Sequence, residues 1–189
     1  MSEQSSEQVN VLVVIDTNYI VDNYPHPSTN PRKPTAVDRN GLYMIVASPQ
    51  GAAGGQGAAG LDFMAHAGGV ASFTATSISA SSDAAVILYD IKLRKGEQAL
   101  KPRGRLQTVT IPCAVMPDPT EPNGLPPTQQ SISYTSYKVE ILQAGTASFS
   151  VYIAVYVLAG DGQTQELYGY FCWQPSVTVR DAEQVPPAE

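Results

Sequence analysis

The chain has 189 residues, of which 43% are apolar, and it carries a formal net charge of −6. This length suits a single domain with a substantial core, and the acidic balance, without a stripe of basic and aromatic residues, argues against nucleic-acid binding. Glycine and proline contribute 15 residues each and stand between short apolar runs, which is typical of a chain with many short strands.

The two ends of the chain differ in composition from the middle. Residues 1–8 and 182–189 are predicted to be a disordered and a flexible tail on either side of one domain at 9–181. The first residues lack the basic start and apolar segment of a secretory signal, so we expect a cytoplasmic protein. No apolar run approaches the roughly 20 residues that span a bilayer, so no membrane association is expected.

Alternation of apolar and polar residues recurs along the chain, and helical spacing does not. About nine or ten strands are predicted, and antiparallel pairing of so many short strands favours an all-β sandwich that resembles a jelly roll. The strands are predicted at 9–15, 42–48, 61–65, 70–76, 84–93, 106–111, 137–142, 149–157, 167–173 and 176–180.

The strands at 149–157 and 167–173 form the clearest predicted hairpin. Between them lies Ala159-Gly160-Asp161-Gly162, whose glycines permit the positive φ angles of a tight turn.

Two long proline-rich segments interrupt the predicted strands, at 22–40 and 112–130. Loops of this length are either functional or simple crossings between two sheets, and the sequence leaves both alternatives open. The Gly/Ala-rich segment 51–60 is predicted to be a mobile hairpin tip.

Candidate groups for metal binding and catalysis are few. The histidines are His26 and His66, and the cysteines are Cys113 and Cys172, too far apart in sequence for a CxxC motif. We expect both cysteines to be buried thiols, no metal site and no catalytic residue. Gly55 to Gly60 matches GxGxxG, but no helix can follow it as a dinucleotide site requires, so no cofactor is expected.

A polar and aromatic corner follows the first apolar strand. It is defined by seven residues with oxygen, amide or tyrosine side chains: Asp16, Asn18, Tyr19, Asp22, Asn23, Tyr24 and Asp38. Such side chains can hydrogen-bond sugar hydroxyls while a tyrosine ring packs on the sugar. They can equally cap turns and hold the long loop onto the sandwich.

The same corner carries a resemblance to a known family. The run Ile15-Asp16-Thr17-Asn18-Tyr19-Ile20, followed by Asn23-Tyr24-Pro25-His26-Pro27-Ser28, Asn30-Pro31 and Pro34-Thr35, resembles the AidA/PixA family of bacterial proteins. The likeness continues through Asp38, Asn40-Gly41 and 43–46, and more loosely through 60–63 and the final hairpin.

The resemblance implies a cytoplasmic protein under quorum-sensing or growth-phase control, of a kind that in some members collects in crystalline inclusions. No enzymatic activity is established for that family, so the resemblance implies a protein that is not an enzyme. With only four methionines, the chain departs from the methionine-rich inclusion proteins, which argues against methionine storage.

We therefore expect a non-catalytic protein that self-associates or binds a partner. Tyrosines on the long hairpin are the predicted contacts of a homodimer or larger homo-oligomer, since tyrosine can meet both apolar surface and water: Tyr152, Tyr156, Tyr168 and Tyr170. The alternative is a lectin-like module that binds a carbohydrate or small ligand at the Asp16–Asp38 region. A hydrolase that uses a carboxylate pair or His26 is a remote alternative.

Overall fold

The structure, a computed structural model, describes residues 8–47, 52–58 and 60–182. Within these ranges the chain forms one short helix, α1, and thirteen strands in two facing sheets. In chain order the elements are β1 Gln8–Ile15, α1 Thr17–Asn23, β2 Thr35–Ala36, β3 Leu42–Ala47, β4 Ala52–Gly54, β5 Gly60–Ala65, β6 Val70–Ser77, β7 Ala84–Lys95, β8 Leu100–Pro102, β9 Gln107–Met116, β10 Thr128–Ile141, β11 Gly145–Leu158, β12 Gln165–Trp173 and β13 Ser176–Asp181.

The first sheet has the order β3-β1-β6-β10-β8, and β9 pairs with the first part of β10. The second sheet has the order β2-β12-β11-β13-β5-β4, and β7 pairs with β11. Strand β11 is long enough to pair with β12 along one stretch and with β13 along another. The predicted all-β sandwich is confirmed.

The pairing is mixed. Most neighbouring strands are antiparallel, but β1 and β6, β2 and β12, and β5 and β13 run parallel. Alternation within a strand reports which face is buried and not the direction of its neighbour, so these parallel pairs were not predicted.

The core lies between the two sheets and follows directly from the alternation. In β1 the buried side chains are Val9, Val11, Val13 and Ile15, each at most 2% exposed. From the second sheet, Phe149 of β11 meets Phe73 of β6 with ring centroids 5.5 Å apart. Complete burial of one such apolar side chain contributes about 1.5–3 kcal/mol, so these alternating positions hold the sheets together.

The second proline-rich segment differs from its prediction as a loop over 112–130. Strand β9 continues to Met116 and β10 begins at Thr128, so the connection is shorter. Pro112 and Cys113 face a single β10 residue, Ser131, where the register shifts. A proline is tolerated at such a bulge in an edge strand.

Strands β9 and β10 form a projection, which we call the ribbon (residues 107–116 and 128–136). Strand β10 pairs with β6 only through Tyr137–Glu140, so its first part leaves the sheet with β9 as its partner. Nearly all ribbon side chains are exposed or half-buried. The ribbon is therefore a two-stranded arm that projects from the sandwich.

Several expectations concern residues at the limits of the described chain. Of the predicted tails at 1–8 and 182–189, residues 1–7 and 183–189 lie outside the described residues, and Gln8 is the first residue of β1. Residues 51 and 59 of the predicted mobile tip also lie outside them, and the part between includes β4. Cys113 is exposed on the ribbon and Cys172 is half-buried on β12, so the prediction that both cysteines are buried is wrong.

Candidate functional site

The Asp16 corner begins with a helix cap. Asp16 is the N-cap of α1, and its carboxylate accepts a hydrogen bond of 3.0 Å from the backbone N–H of Tyr19. Asp is a favoured N-cap because its oxygen satisfies an N–H that lacks a partner within the helix. At the same corner the backbone N–H of Asp16 donates to the carbonyl of Gly41 at 2.7 Å. Asp16 is thus engaged in shaping the turn from β1 into α1.

Asp38 joins the long loop to the helix. Its carboxylate accepts hydrogen bonds from the Tyr19 hydroxyl at 3.2 and 3.0 Å, and from the backbone and side-chain N–H groups of Asn40. Its backbone N–H donates to the Tyr24 hydroxyl at 3.0 Å. The structure therefore brings Asp16, Tyr19, Tyr24 and Asp38 together as partners of one another.

Gly41 makes this close contact between loop and helix sterically feasible. Its φ is +70°, and a Cβ built there would lie only 2.5 Å from Cδ1 of Tyr19. A residue with a side chain would meet both backbone strain and an aromatic ring.

The remaining predicted residues lie elsewhere on α1. Asn23 donates to the Tyr19 carbonyl at 2.9 Å and so supports the helix. Asn18 and Asp22 line an open pocket of about 400 Å³, together with Thr17, Asp83 and four apolar residues. The proposed corner thus divides into a structural network and a pocket, and only Asn18 and Asp22 of the seven predicted residues line that pocket.

Tyr168 is one of the four hairpin tyrosines, and it contacts the protein interior. Its hydroxyl donates to the carbonyls of Tyr24 at 2.8 Å and Val21 at 3.2 Å, and its ring stacks on Phe171. Burial raises its pKa, and the negative charge of Asp22 adds to this shift. Tyr168 therefore anchors the end of α1 to the second sheet.

Tyr152 and Tyr170 belong to an aromatic cluster with Tyr89. Ring centroids of Tyr89 lie 6.0 Å from Tyr152 and 5.4 Å from Tyr170, and the Tyr89 hydroxyl donates to the Pro31 carbonyl at 3.0 Å. Burial is the main cause that raises the pKa of Tyr89 to about 12. The first proline-rich loop packs at this cluster, whereas Tyr156 is half-buried on β11. The prediction that the four tyrosines form an oligomer contact stays a prediction.

Sequence reasoning missed an apolar surface on the ribbon. Ile111 pairs with Ile132, and Val109 with Tyr134, so all four side chains share one face. Ile111 is 42% exposed, Ile132 36% and Tyr134 41%. No charged residue lies in β9 or in β10 before Lys138. The alternation of Val109 with Ile111 and of Ile132 with Tyr134 was the available signal.

The described ranges offer few groups for catalysis or metal binding. No cluster of three or more histidine, cysteine or acidic residues there has the arrangement of a metal site. His26 is exposed in the first proline-rich loop and does not line the pocket beside Asn18 and Asp22. That pocket does bring together Asp22 and Asp83, and a hydrolase remains a prediction.

The described helix does not qualify as a membrane span, because it is too short to cross a bilayer.

Comparisons with known proteins agree with the fold. A family model described as PixA, inclusion body protein, matches residues 7–179. A crystal structure of an inclusion body protein (PixA) from Burkholderia cenocepacia J2315 is 23% identical, with a TM-score of 0.71 over 95% of this chain and 99% of that one. A search of curated proteins finds no match. The resemblance seen at the Asp16 corner is confirmed for PixA, and the chain belongs to the PixA inclusion body protein family.

Proposed function

We propose that this protein works in the cytoplasm by self-association, and that the ribbon is its contact with a second copy. The observation that carries the proposal is the uncharged apolar face of Val109, Ile111, Ile132 and Tyr134 on a projecting two-stranded arm, of which Val109 is half-buried and the other three are exposed.

The ribbon has few of the features that usually keep sheet edges apart. Natural edge strands are protected by charged side chains, proline or a covering element, and an isolated two-stranded hairpin is only marginally stable in water. In the described chain β9 pairs with β10 alone. Pro112 and the bulge at Pro112–Cys113 are the protective features of β9, and the strand carries no charge. A second copy that covers the apolar face would supply the missing contacts.

Charge favours this surface over others for contact between copies. Each chain carries a net charge of −6, so two copies repel each other at most orientations. Beside the ribbon lies an open cavity of about 690 Å³, walled by Ser133, Tyr134 and Thr135 on one side and by Thr74 and Thr76 on the other. None of the residues that line it is charged. Tyr134 belongs both to the apolar face and to the cavity lining, so it links two uncharged surfaces of the ribbon.

A two-fold arrangement of copies suits this geometry. In an isologous dimer the same patch serves both copies, and here the ribbon itself forms one wall of the cavity. The ribbon of each copy can therefore lie against the cavity of the other. The family description, inclusion body protein, is consistent with assembly of many copies once further contacts are added.

The test is the mass of the protein by light scattering across a concentration series, for the wild type and the double variant Ile111→Lys, Ile132→Lys. We expect a concentration-dependent dimer or larger particle for the wild type and a monomer for the variant, because four lysines would meet at one interface. Both positions are substantially exposed, so circular dichroism is expected to show an unchanged fold.

The matched control is Tyr156→Ser on the long hairpin, one of the four tyrosines predicted as contacts. Association that survives the lysine substitutions but is lost in Tyr156→Ser would place the contact on the tyrosine hairpin instead. A wild type that stays monomeric at all concentrations would refute self-association itself.

A second candidate function is binding of a carbohydrate or another small polar ligand in the pocket beside α1. It is favoured by the lining, in which Asn18, Asp22 and Asp83 stand beside apolar side chains such as Val21 and Leu158, a combination typical of small-ligand sites. A glycan array, with and without calcium, tests it. Signals that disappear in Asp22→Asn would support the site, and an array at background would reject it.

A further inference from the structure

A further polar pocket lies in the second sheet, at the point where β11 changes partner from β13 (Gly145–Ser148) to β12 (Val151–Leu158). Ser148 of β11 pairs with Lys95 of β7 on one edge and with Ser176 of β13 on the other. The backbone N–H of Phe149 donates to the Pro175 carbonyl at 3.1 Å. The change of partner opens a pocket of about 340 Å³ among these strands.

The pocket is basic, although the chain is acidic. Arg39, Arg94 and Lys95 line it. The rest of the lining consists of the polar residues Ser148, Gln174 and Ser176 and of Phe149 and Pro175, and it includes no acidic residue. The chain has only 11 basic residues against 17 acidic ones, so three cations at one small pocket is an unusual concentration of positive charge.

These three cations have no anionic partner in the described part of the chain. The ion pairs found there join Lys92 to Asp90, Arg103 to Glu140 and Arg180 to Asp62. The acidic residue next to Arg39 in sequence is Asp38, whose carboxylate is engaged by Tyr19 and Asn40. Like charges held at one site repel each other, and a bound anion removes that repulsion.

We propose that this basic pocket binds the phosphate group of a small phosphorylated molecule. Arginine guanidinium groups form paired hydrogen bonds with phosphate oxygens, and the hydroxyls of Ser148 and Ser176 and the amide of Gln174 are further donors. The volume lies near the lower end of the range of about 300–1,000 Å³ for small-molecule sites. The proposal does not depend on self-association, because the pocket is formed by residues of one chain outside the ribbon.

Calorimetric titration tests the proposal with inorganic phosphate, glycerol phosphate and succinate as probes, in a chloride buffer of matched ionic strength. We expect saturable binding of both phosphates. Arg94→Gln is expected to weaken the affinity for phosphate by about ten- to hundredfold, because the variant loses a charge-assisted hydrogen bond. Tighter binding of succinate than of either phosphate would reassign the pocket to dicarboxylates and overturn the phosphate proposal.

Lys101→Gln is the matched control, because it removes an exposed positive charge on β8, away from the pocket. Binding reduced equally by Lys101→Gln and Arg94→Gln would show a general charge effect and refute a defined site. If none of the three probes bound saturably, the proposed phosphate site would be refuted as well. Arg94→Gln exchanges an exposed side chain, so its melting temperature without anion is expected to equal that of the wild type, and its association state is expected to be unchanged.

Discussion

Asp16 shows how a residue that suggests ligand binding serves the local fold. Its side chain accepts a hydrogen bond from the Tyr19 N–H, while the Tyr19 hydroxyl reaches Asp38 across the loop. The cap was accessible from sequence, since an Asp before a helical turn is a common signal. The Tyr19–Asp38 contact was not, because it joins residues 19 positions apart whose approach depends on the fold of the whole loop.

At the residue scale we predict that Asp16→Ala destabilises the protein by about 1 kcal/mol, the usual cost of removing an N-cap. Asn18→Ala, two residues on and exposed at the pocket, serves as the control and is expected to change stability by less than about 0.5 kcal/mol. Chemical denaturation measures both. Equal stability of Asp16→Ala and the wild type would contradict the capping role.

Gly41 gives a second prediction at this scale. Gly41→Ala is expected to destabilise the protein by more than about 1 kcal/mol, because alanine is strained at a φ of +70° and its Cβ would overlap the Tyr19 ring. Gly104→Ala is the matched control, since Gly104 also has a positive φ but nothing lies within 4 Å of a Cβ there. Thermal denaturation of both variants separates backbone strain from the overlap with the Tyr19 ring. Similar losses of stability in Gly41→Ala and Gly104→Ala would show that backbone strain alone is responsible.

At the scale of elements, alternation predicted the sandwich strands well and the ribbon poorly. Phe149 to Val157 alternates between the core and the outer face, and β11 follows it closely. Pro112 suggested the end of a strand, but a bulge lets β9 continue past it. The partner exchange of β11 between β12 and β13 also escaped prediction, because strand order depends on long-range pairing.

The turn between β11 and β12 gives a prediction about pH. The Asp161 carboxylate accepts hydrogen bonds from the backbone N–H groups of Gln163 and Thr164 at 2.9 Å and from the Thr164 hydroxyl. The Thr164 hydroxyl is the main cause that lowers the pKa of Asp161 to about 2. Because this folded-state pKa lies below that of an unfolded Asp, the stabilisation is present above about pH 4 and is lost as the pH falls through about 2.

Asp161→Ala is therefore expected to melt at a lower temperature than the wild type at pH 6, with a difference that shrinks as the pH approaches 2. Gln163→Ala, in the same turn, keeps the carboxylate and is the control. Scanning calorimetry at several pH values measures the difference. A difference that stays constant down to pH 2 would show that the charge of Asp161 does not stabilise the turn.

At the scale of the whole molecule, net charge opposes the proposed association. The sequence pI is about 4.8, so lowering the pH from 7 towards 5.5 reduces the negative charge on each copy. We expect the dimer dissociation constant to fall several-fold over this range at low salt, and the effect to be small at about 0.5 M salt because repulsion is screened.

Sedimentation at two pH values and two salt concentrations measures this dependence. The double variant Ile111→Lys, Ile132→Lys is the control and is expected to remain monomeric under all four conditions. Association of the wild type that weakens as the pH falls would contradict an interface between uncharged surfaces.

The position of β13 in the second sheet has a consequence for the synthesis of the protein. This last strand of the described chain lies in the interior of its sheet, between β11 and β5. Strand β5 is made more than a hundred residues earlier, yet among the described residues its strand partners are β13 and the short β4 alone. The second sheet is therefore completed only after Ser176–Asp181 has left the ribosome, and chains interrupted before that point expose β5 to chaperones and proteases.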